Sequence, residues 1–152
     1  MCGRFILTSG GKELAEHFGL KTELELSPRY NIAPTQEVAT IRLDPESNGK
    51  SLTYSKWGLV PSWAKDQSIG SSLINARCET LSQKPAFRAA FKRRRLLIPA
   101  NGFYEWMKME DRKQPYLIQL ADRSLFAFAR LWERWEAPEN VVLESCAIIT
   151  SE

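Results

Sequence analysis

The chain has 152 residues, 43% hydrophobic and 26% charged, with a net charge of +3. A domain of about this length buries roughly two-thirds of its unfolded surface, so neither a disulfide nor a metal is needed to hold it together. The longest apolar runs are far too short to span a bilayer, and Phe5–Leu7 is too short for a signal-peptide core, so an intracellular protein is expected. The three cysteines, Cys2, Cys78 and Cys146, have no CxxC spacing, and the single histidine, His17, offers them no local partner. Reduced thiols and no metal site are therefore expected.

In chain order, "GKELAEHFGL" reads as a short helix, with Leu14 and Phe18 four residues apart and Gly19 as its stop. "SPRYNIAPT" reads as a proline-broken loop. "VATIRL" alternates as a strand does, and "DPESNGK" after it is a hairpin loop. "PAFRAAFKR" reads as a second helix, with Pro85 in its first turn and Phe87 and Phe91 on one face. The strand-like runs "RLLIPA", "FYEWMKM", "PYLIQL", "LFAFARLW" and "VVLESCAIIT" follow, with "MEDRKQ" as a polar turn. The fold class is α+β: a mostly antiparallel sheet, or pair of sheets, with a few short helices. Most of the five tryptophans are expected to pack in the core.

Charge is unevenly placed. Residues 1–104 hold 15 basic and 9 acidic side chains; residues 105–152 hold 6 and 9. Between Glu79 and Glu105 stand Lys84, Arg88, Lys92, Arg93, Arg94 and Arg95 with no acid among them. Such a run is either a polyanion-binding face or a solvated helix end.

Three stretches can carry chemistry. Removal of Met1 would leave Cys2 with an α-amine and a thiol on adjacent carbons. Unperturbed, these titrate near ~7.7 and ~8.5, so both would be partly nucleophilic at neutral pH. "INARCET" sets Asn75, Arg77 and Glu79 at alternate positions, on one side of a strand. "NGFYEW" embeds Glu105 between Tyr104 and Trp106, with Phe103 on its face. Aromatic surroundings would raise a carboxylate's pKa and suit it to general acid/base work; an exposed strand position is the alternative. Cys78 and Cys146 lie in strand patterns and are expected to be buried and inert.

"MCGRF", "RYNIAPT", "WGLVPSW", "INARCET", "RRLLIPANGFYEW" and "CAIIT", in this order and over essentially the whole chain, resemble the SRAP family. These are SOS-response-associated peptidase-like proteins that crosslink to abasic sites in single-stranded DNA. The resemblance implies a barrel-like sheet core and a single domain over residues 1–152. It implies that Met1 is removed, that Cys2 becomes the nucleophile, and that its amine and thiol close a thiazolidine on the ring-opened sugar aldehyde. The peptidase label then denotes self-removal of Met1. Asn75 matches the asparagine that hydrogen-bonds near the Cys2 amine and the sugar, and Glu105 matches the proton-transferring glutamate. Arg4 and Arg77 match phosphate-holding arginines; Pro34 and Trp63 match positions along the DNA path, where Trp63 read alone is equally a packing residue. The family's His-x-Arg-Met-Pro motif is not present in this sequence, so the domain resembles a C-terminally short one, and His17 reads as an ordinary helix residue. The implied partner is abasic single-stranded DNA, with no cofactor, metal or membrane, acting as a monomer in the cytoplasm or nucleoid of a bacterium or the nucleus of a eukaryote.

Two other readings stand beside it. Met-Cys-Gly also begins class II glutamine amidotransferase domains, where the thiol attacks an amide and Asn101-Gly102 would supply an oxyanion-hole pair. A non-catalytic single-strand-binding module would need only the basic segment and the tryptophans.

Overall fold

The computed structural model describes residues 2–21, 25–44 and 46–151. Its strands are β1 (Phe5–Leu7), β2 (Arg29–Ile32), β3 (Glu37–Leu43), β4 (Lys50–Trp57), β5 (Asn75–Arg77), β6 (Arg95–Ala100), β7 (Gly102–Lys108), β8 (Lys113–Ile118), β9 (Phe126–Glu136) and β10 (Val142–Thr150). The helices α1 (Gly11–Phe18) and α2 (Arg88–Arg93) are short. One sheet runs β2-β1-β7-β8; the other runs β4-β3-β6-β9-β10-β5. Because β10 also pairs with β4, strands β3, β4, β10, β9 and β6 close into a barrel-like ring. Pairing is antiparallel except where β10 meets β4 and β5. The α+β, mostly antiparallel, barrel-like architecture expected from the sequence is what the chain adopts.

Two registers build the site. Along one edge of β10, Ser145 and Cys146 face β4; the strand then runs on, and Ile148 to Thr150 face Asn75 to Arg77. In the other sheet Phe5 pairs with Phe103, and Tyr104 N–H donates to the Arg4 carbonyl at 2.9 Å. Continued by two residues, that antiparallel ladder carries the N-terminus alongside Glu105. The large core gathers Phe5, Leu14, Ile32, Trp57, Ile98 and Ile148 between the sheets; a smaller one sets Phe87 and Ala90 against Leu131 on the far face of the barrel sheet.

Several local expectations give way. Arg29–Ile32, read as loop, is an edge strand beside β1: its flanking prolines lie outside the paired residues, and Ile32 is buried. The second helix begins only at Arg88; Lys84–Phe87 is a turn, with Phe87 and Arg88 both donating to the Lys84 carbonyl at 3.0 Å. Six helical residues present too little face to bury both phenylalanines, so Phe87 is buried and Phe91 exposed. The "INARCET" strand stops at Arg77, and Cys78–Thr80 is one 3₁₀ turn. Strands β1 and β4 carry no alternation clear enough to read: β1 is buried throughout, and β4 is only half-buried over most of its length. The α1 boundary holds, closed by Gly19 at φ 67°. Pro45, in the "DPESNGK" loop, lies outside the described residues.

Candidate active site

Cys2 is 6% exposed. Its Sγ–H donates to the Arg4 carbonyl at 3.7 Å, and its carbonyl accepts a hydrogen bond from Asn75 Nδ2 at 3.0 Å. Burial pushes the thiol from an ordinary 9.0 to about 11; the Arg130 guanidinium opposes this rise and the Glu105 carboxylate adds to it. Burial thus holds the thiol above the unperturbed value near ~8.5 from which the sequence reading starts. Only about one thiol in ten thousand is ionised at pH 7 with such a pKa, so attack by sulfur needs a neighbouring base.

Above Cys2 opens a cavity of about 400 Å³, lined by Cys2, Phe103, Glu105 and Phe128 on one side and by Arg77, Glu79 and the end of β10 on the other. Phe103 and Glu105 are alternate residues of β7 and so share its cavity face. Tyr104 and Trp106, between which Glu105 sits in sequence, belong to the opposite face: the Tyr104 hydroxyl donates to the Tyr30 carbonyl at 3.1 Å, and Trp106 is exposed. The aromatic setting of Glu105 thus comes from Phe103 and Phe128, not from its sequence neighbours. Glu105 itself is half-buried.

Asn75 and Arg77 arrive on β5, with alanine between them buried in the small core. Asn75 Oδ1 is buried and has no hydrogen-bond partner among the described residues. Arg77 is exposed on the rim. Glu79 reaches the same cavity from the 3₁₀ turn, not from a strand, and its Oε1 accepts from Cys78 Sγ at 3.0 Å. Cys78 is accordingly exposed, against expectation, because the strand that would have buried it ends one residue earlier; Cys146 is buried, as expected.

The remaining predicted positions do not line this cavity. Arg4 Nη1 donates to Asn31 Oδ1 at 2.8 Å. Pro34 is half-buried in the turn where Thr35 adopts φ 71°. Trp63 is 59% exposed, so core packing is excluded for it, as it is for exposed Trp106, while Trp57 and Trp135 are buried. In the basic segment Arg94 pairs with Glu133 at 2.7 Å, and Arg88, Lys92, Arg93 and Arg95 are exposed.

Asn101, named in the amidotransferase reading, is buried and held within the fold. Its N–H donates to the Ile6 carbonyl, its Oδ1 accepts from Thr8 and Ser9 N–H at 2.8 and 3.0 Å, and its Nδ2 donates to Ser9 Oγ. Its backbone N–H and one of its two side-chain N–H bonds are thereby committed. Phe128 and Arg130 belong to no motif block; their signal in the sequence is the alternation Phe126, Phe128, Arg130, Trp132, which sets a charge in an apolar register. Among the described residues no cluster of His, Cys, Asp and Glu could hold a metal ion, and no helix is long and apolar enough to cross a membrane.

The family model for the SOS response associated peptidase (SRAP) matches residues 1–152. The chain is 46% identical to the abasic site processing protein YoqW of Bacillus subtilis (strain 168), over 100% of this chain and 69% of that protein. It is 30% identical to the abasic site processing protein HMCES of Xenopus tropicalis, over 82% of this chain and 44% of that one. A crystal structure of a protein from Bacteroides thetaiotaomicron superposes with a TM-score of 0.89 at 23% identity, covering 99% of this chain and 68% of the other. With the family match spanning every residue, and with a relative of this identity aligned over the entire sequence, the chain belongs to the SRAP family.

Proposed function

We propose that this chain recognises abasic sites in single-stranded DNA and bonds to them covalently through Cys2 once Met1 is removed. What supports the reading is one arrangement: the second residue of the chain lies at the base of a cavity shared with a carboxylate and an arginine, its backbone held by Asn75. The names of the relatives agree with it.

The chemistry follows from those groups. The α-amine adds to the ring-opened C1′ aldehyde of the abasic sugar, and loss of water gives an imine. The Cys2 sulfur then adds to the imine carbon. Its proton ends on the nitrogen, closing a thiazolidine with one water released overall. Glu105 moves the protons, donating to the sugar oxygen as the ring opens and accepting from the amine or thiol afterwards. Asn75 Oδ1, an acceptor with unused capacity, takes a hydrogen bond from the amine or the carbinolamine hydroxyl. Arg77 on the rim binds a flanking phosphate; Arg4, Pro34 and Trp63 line the strand's path outside the cavity. The peptidase activity in the family description is read here as self-removal of Met1, and lyase activity as elimination from the imine before sulfur closes the ring.

Intact mass spectrometry under denaturing conditions tests this. The chain lacking Met1, incubated with abasic single-stranded DNA, should gain the oligonucleotide mass less one water. Undamaged DNA should give no adduct, and Cys2→Ala should give none without reductant. A stable adduct in Cys2→Ala, or none in the parent chain, overturns the proposal. Release of every complex by detergent would favour the plain single-strand-binding module.

A further inference from the structure

Arg130 is 1% exposed, a rare state for a guanidinium. It follows Phe128 by two residues on β9 and so points to the same side of the strand, into the core beneath the cavity that Phe128 lines. Its neighbour across the β9–β10 ladder is Ile148, another cavity residue. The guanidinium carbon lies 5.6 Å from the Phe5 ring centre and 5.0 Å from that of Trp57. Nη1 donates to Cys146 Sγ at 3.4 Å, while Nε and Nη2 have no hydrogen-bond partner among the described residues.

The groups that face this cation can be taken element by element. From β1 and β4 come the Phe5 and Trp57 rings, and from β6 comes Leu96; none of these can become an anion. From β10 comes the Cys146 thiol, and from the N-terminal segment the Cys2 thiol. Among the described residues no carboxylate acts on Arg130. Burying a cation without an anion is costly, and two ring contacts return only part of that cost. For folding alone, methionine would serve as well. Burial pulls Arg130 down to about 10, which still leaves it cationic at neutral pH. Of the two thiols that could complete the charge pair, Cys146 is fully buried and donates to the Lys56 carbonyl at 3.6 Å, whereas Cys2 opens on the cavity.

We propose that Arg130 is a positioning residue for Cys2, a buried cation at neutral pH that becomes the counter-charge of the Cys2 thiolate when sulfur gives up its proton inside the closed core. The proton leaves Sγ for the Glu105 carboxylate; the thiolate is held against the guanidinium; sulfur becomes neutral again on bonding to carbon. This rests on the reading of Cys2 as nucleophile, but its test uses no DNA.

The full chain is alkylated with iodoacetamide from about pH 6 to pH 11, and the Cys2 peptide is quantified separately from those of Cys78 and Cys146. Replacing Arg130 by Met or by Gln should slow alkylation of Cys2 about tenfold at about pH 7 to 9, where Arg130 of the parent is still charged. A folded Met or Gln variant with the parent's pH profile overturns the proposal. A second measurement needs no change at Arg130: its side-chain Nε–H resonance should be lost at a lower pH in Cys2→Ser than in the parent, where the Cys2 sulfur helps to hold the guanidinium charged. An identical titration in both proteins overturns the proposal as surely. An unchanged alkylation profile in a chain that does crosslink abasic DNA rejects the role of Arg130 alone; an Arg130-dependent profile without any adduct rejects the abasic-site reading alone.

Discussion

Cys2 is asked to be both hidden and reactive. Burial keeps its thiol neutral, which protects a nucleophile from casual oxidation and alkylation, since both act on the thiolate. The same burial makes reaction depend on whatever can take the proton. His17 is exposed on α1, its ring against Phe18, so it has no part in this. Two carboxylates line the cavity, Glu79 and Glu105. Glu105 acts electrostatically on the Cys2 sulfur, while Glu79 accepts from Cys78 Sγ. Glu105→Gln keeps the shape and removes the base, so single-turnover adduct formation on abasic single-stranded DNA should slow by on the order of 10²-fold. Glu79→Gln should change the rate by less than about threefold. Equal rates for Glu105→Gln and the parent across about pH 5 to 9 would make Glu105 structural.

At the scale of elements, the site depends on β5, a strand of three residues that holds its place by borrowed contacts. Parallel pairing to β10 fixes one side. Just before β5, Leu59 N–H donates to the Leu73 carbonyl, and the Ile74 carbonyl accepts from both Trp57 Nε1–H at 2.9 Å and Ile148 N–H at 3.0 Å. Gly58 permits this approach: its φ is 135°, and a Cβ there would lie 2.6 Å from the Gly70 carbonyl oxygen. Gly58→Ala should therefore cost about 2–3 kcal/mol in urea unfolding and, in the folded fraction, weaken adduct formation by displacing Asn75. Unchanged stability would show that the segment from Gly70 to Ile74 shifts without penalty. This dependence is also why the site was only half legible. The motif blocks identified Cys2, Asn75, Arg77 and Glu105, and the cavity unites all but Asn75, which reaches Cys2 through its backbone. Alternation identified β3, and strand-like runs identified the five strands from β6 onward. It could not show that "INARCET" breaks into a turn after Arg77, because that break is set by where β10 ends, and it could not show that "RYNI" pairs, because an edge strand is held by its neighbour's ladder and not by its own pattern.

For the molecule as a whole, the buried ionisable groups predict how stability responds to alkali. Cys2 titrates at about 11 in the folded chain against an ordinary 9.0, and burial raises Cys146 in the same direction. A raised thiol pKa gives stability that is complete below about pH 9 and is lost as pH climbs toward the folded value. Arg130 works with the opposite sign, because its folded value of about 10 lies below an ordinary 12.5, so deprotonation there relieves the fold only above about pH 10. The interval from about pH 9 to pH 10 therefore reports mainly on the thiols. Over that unit Cys2 should remove about 1 kcal/mol of unfolding free energy and Cys146 should add to the decline, measured by urea titration with reductant present. Cys2→Ala should flatten the decline and leave the remainder to Cys146. A decline of the same steepness in Cys2→Ala would mean that the Cys2 thiol is as accessible to water in the folded chain as in the unfolded one, and the buried nucleophile on which the site is built would have to be abandoned.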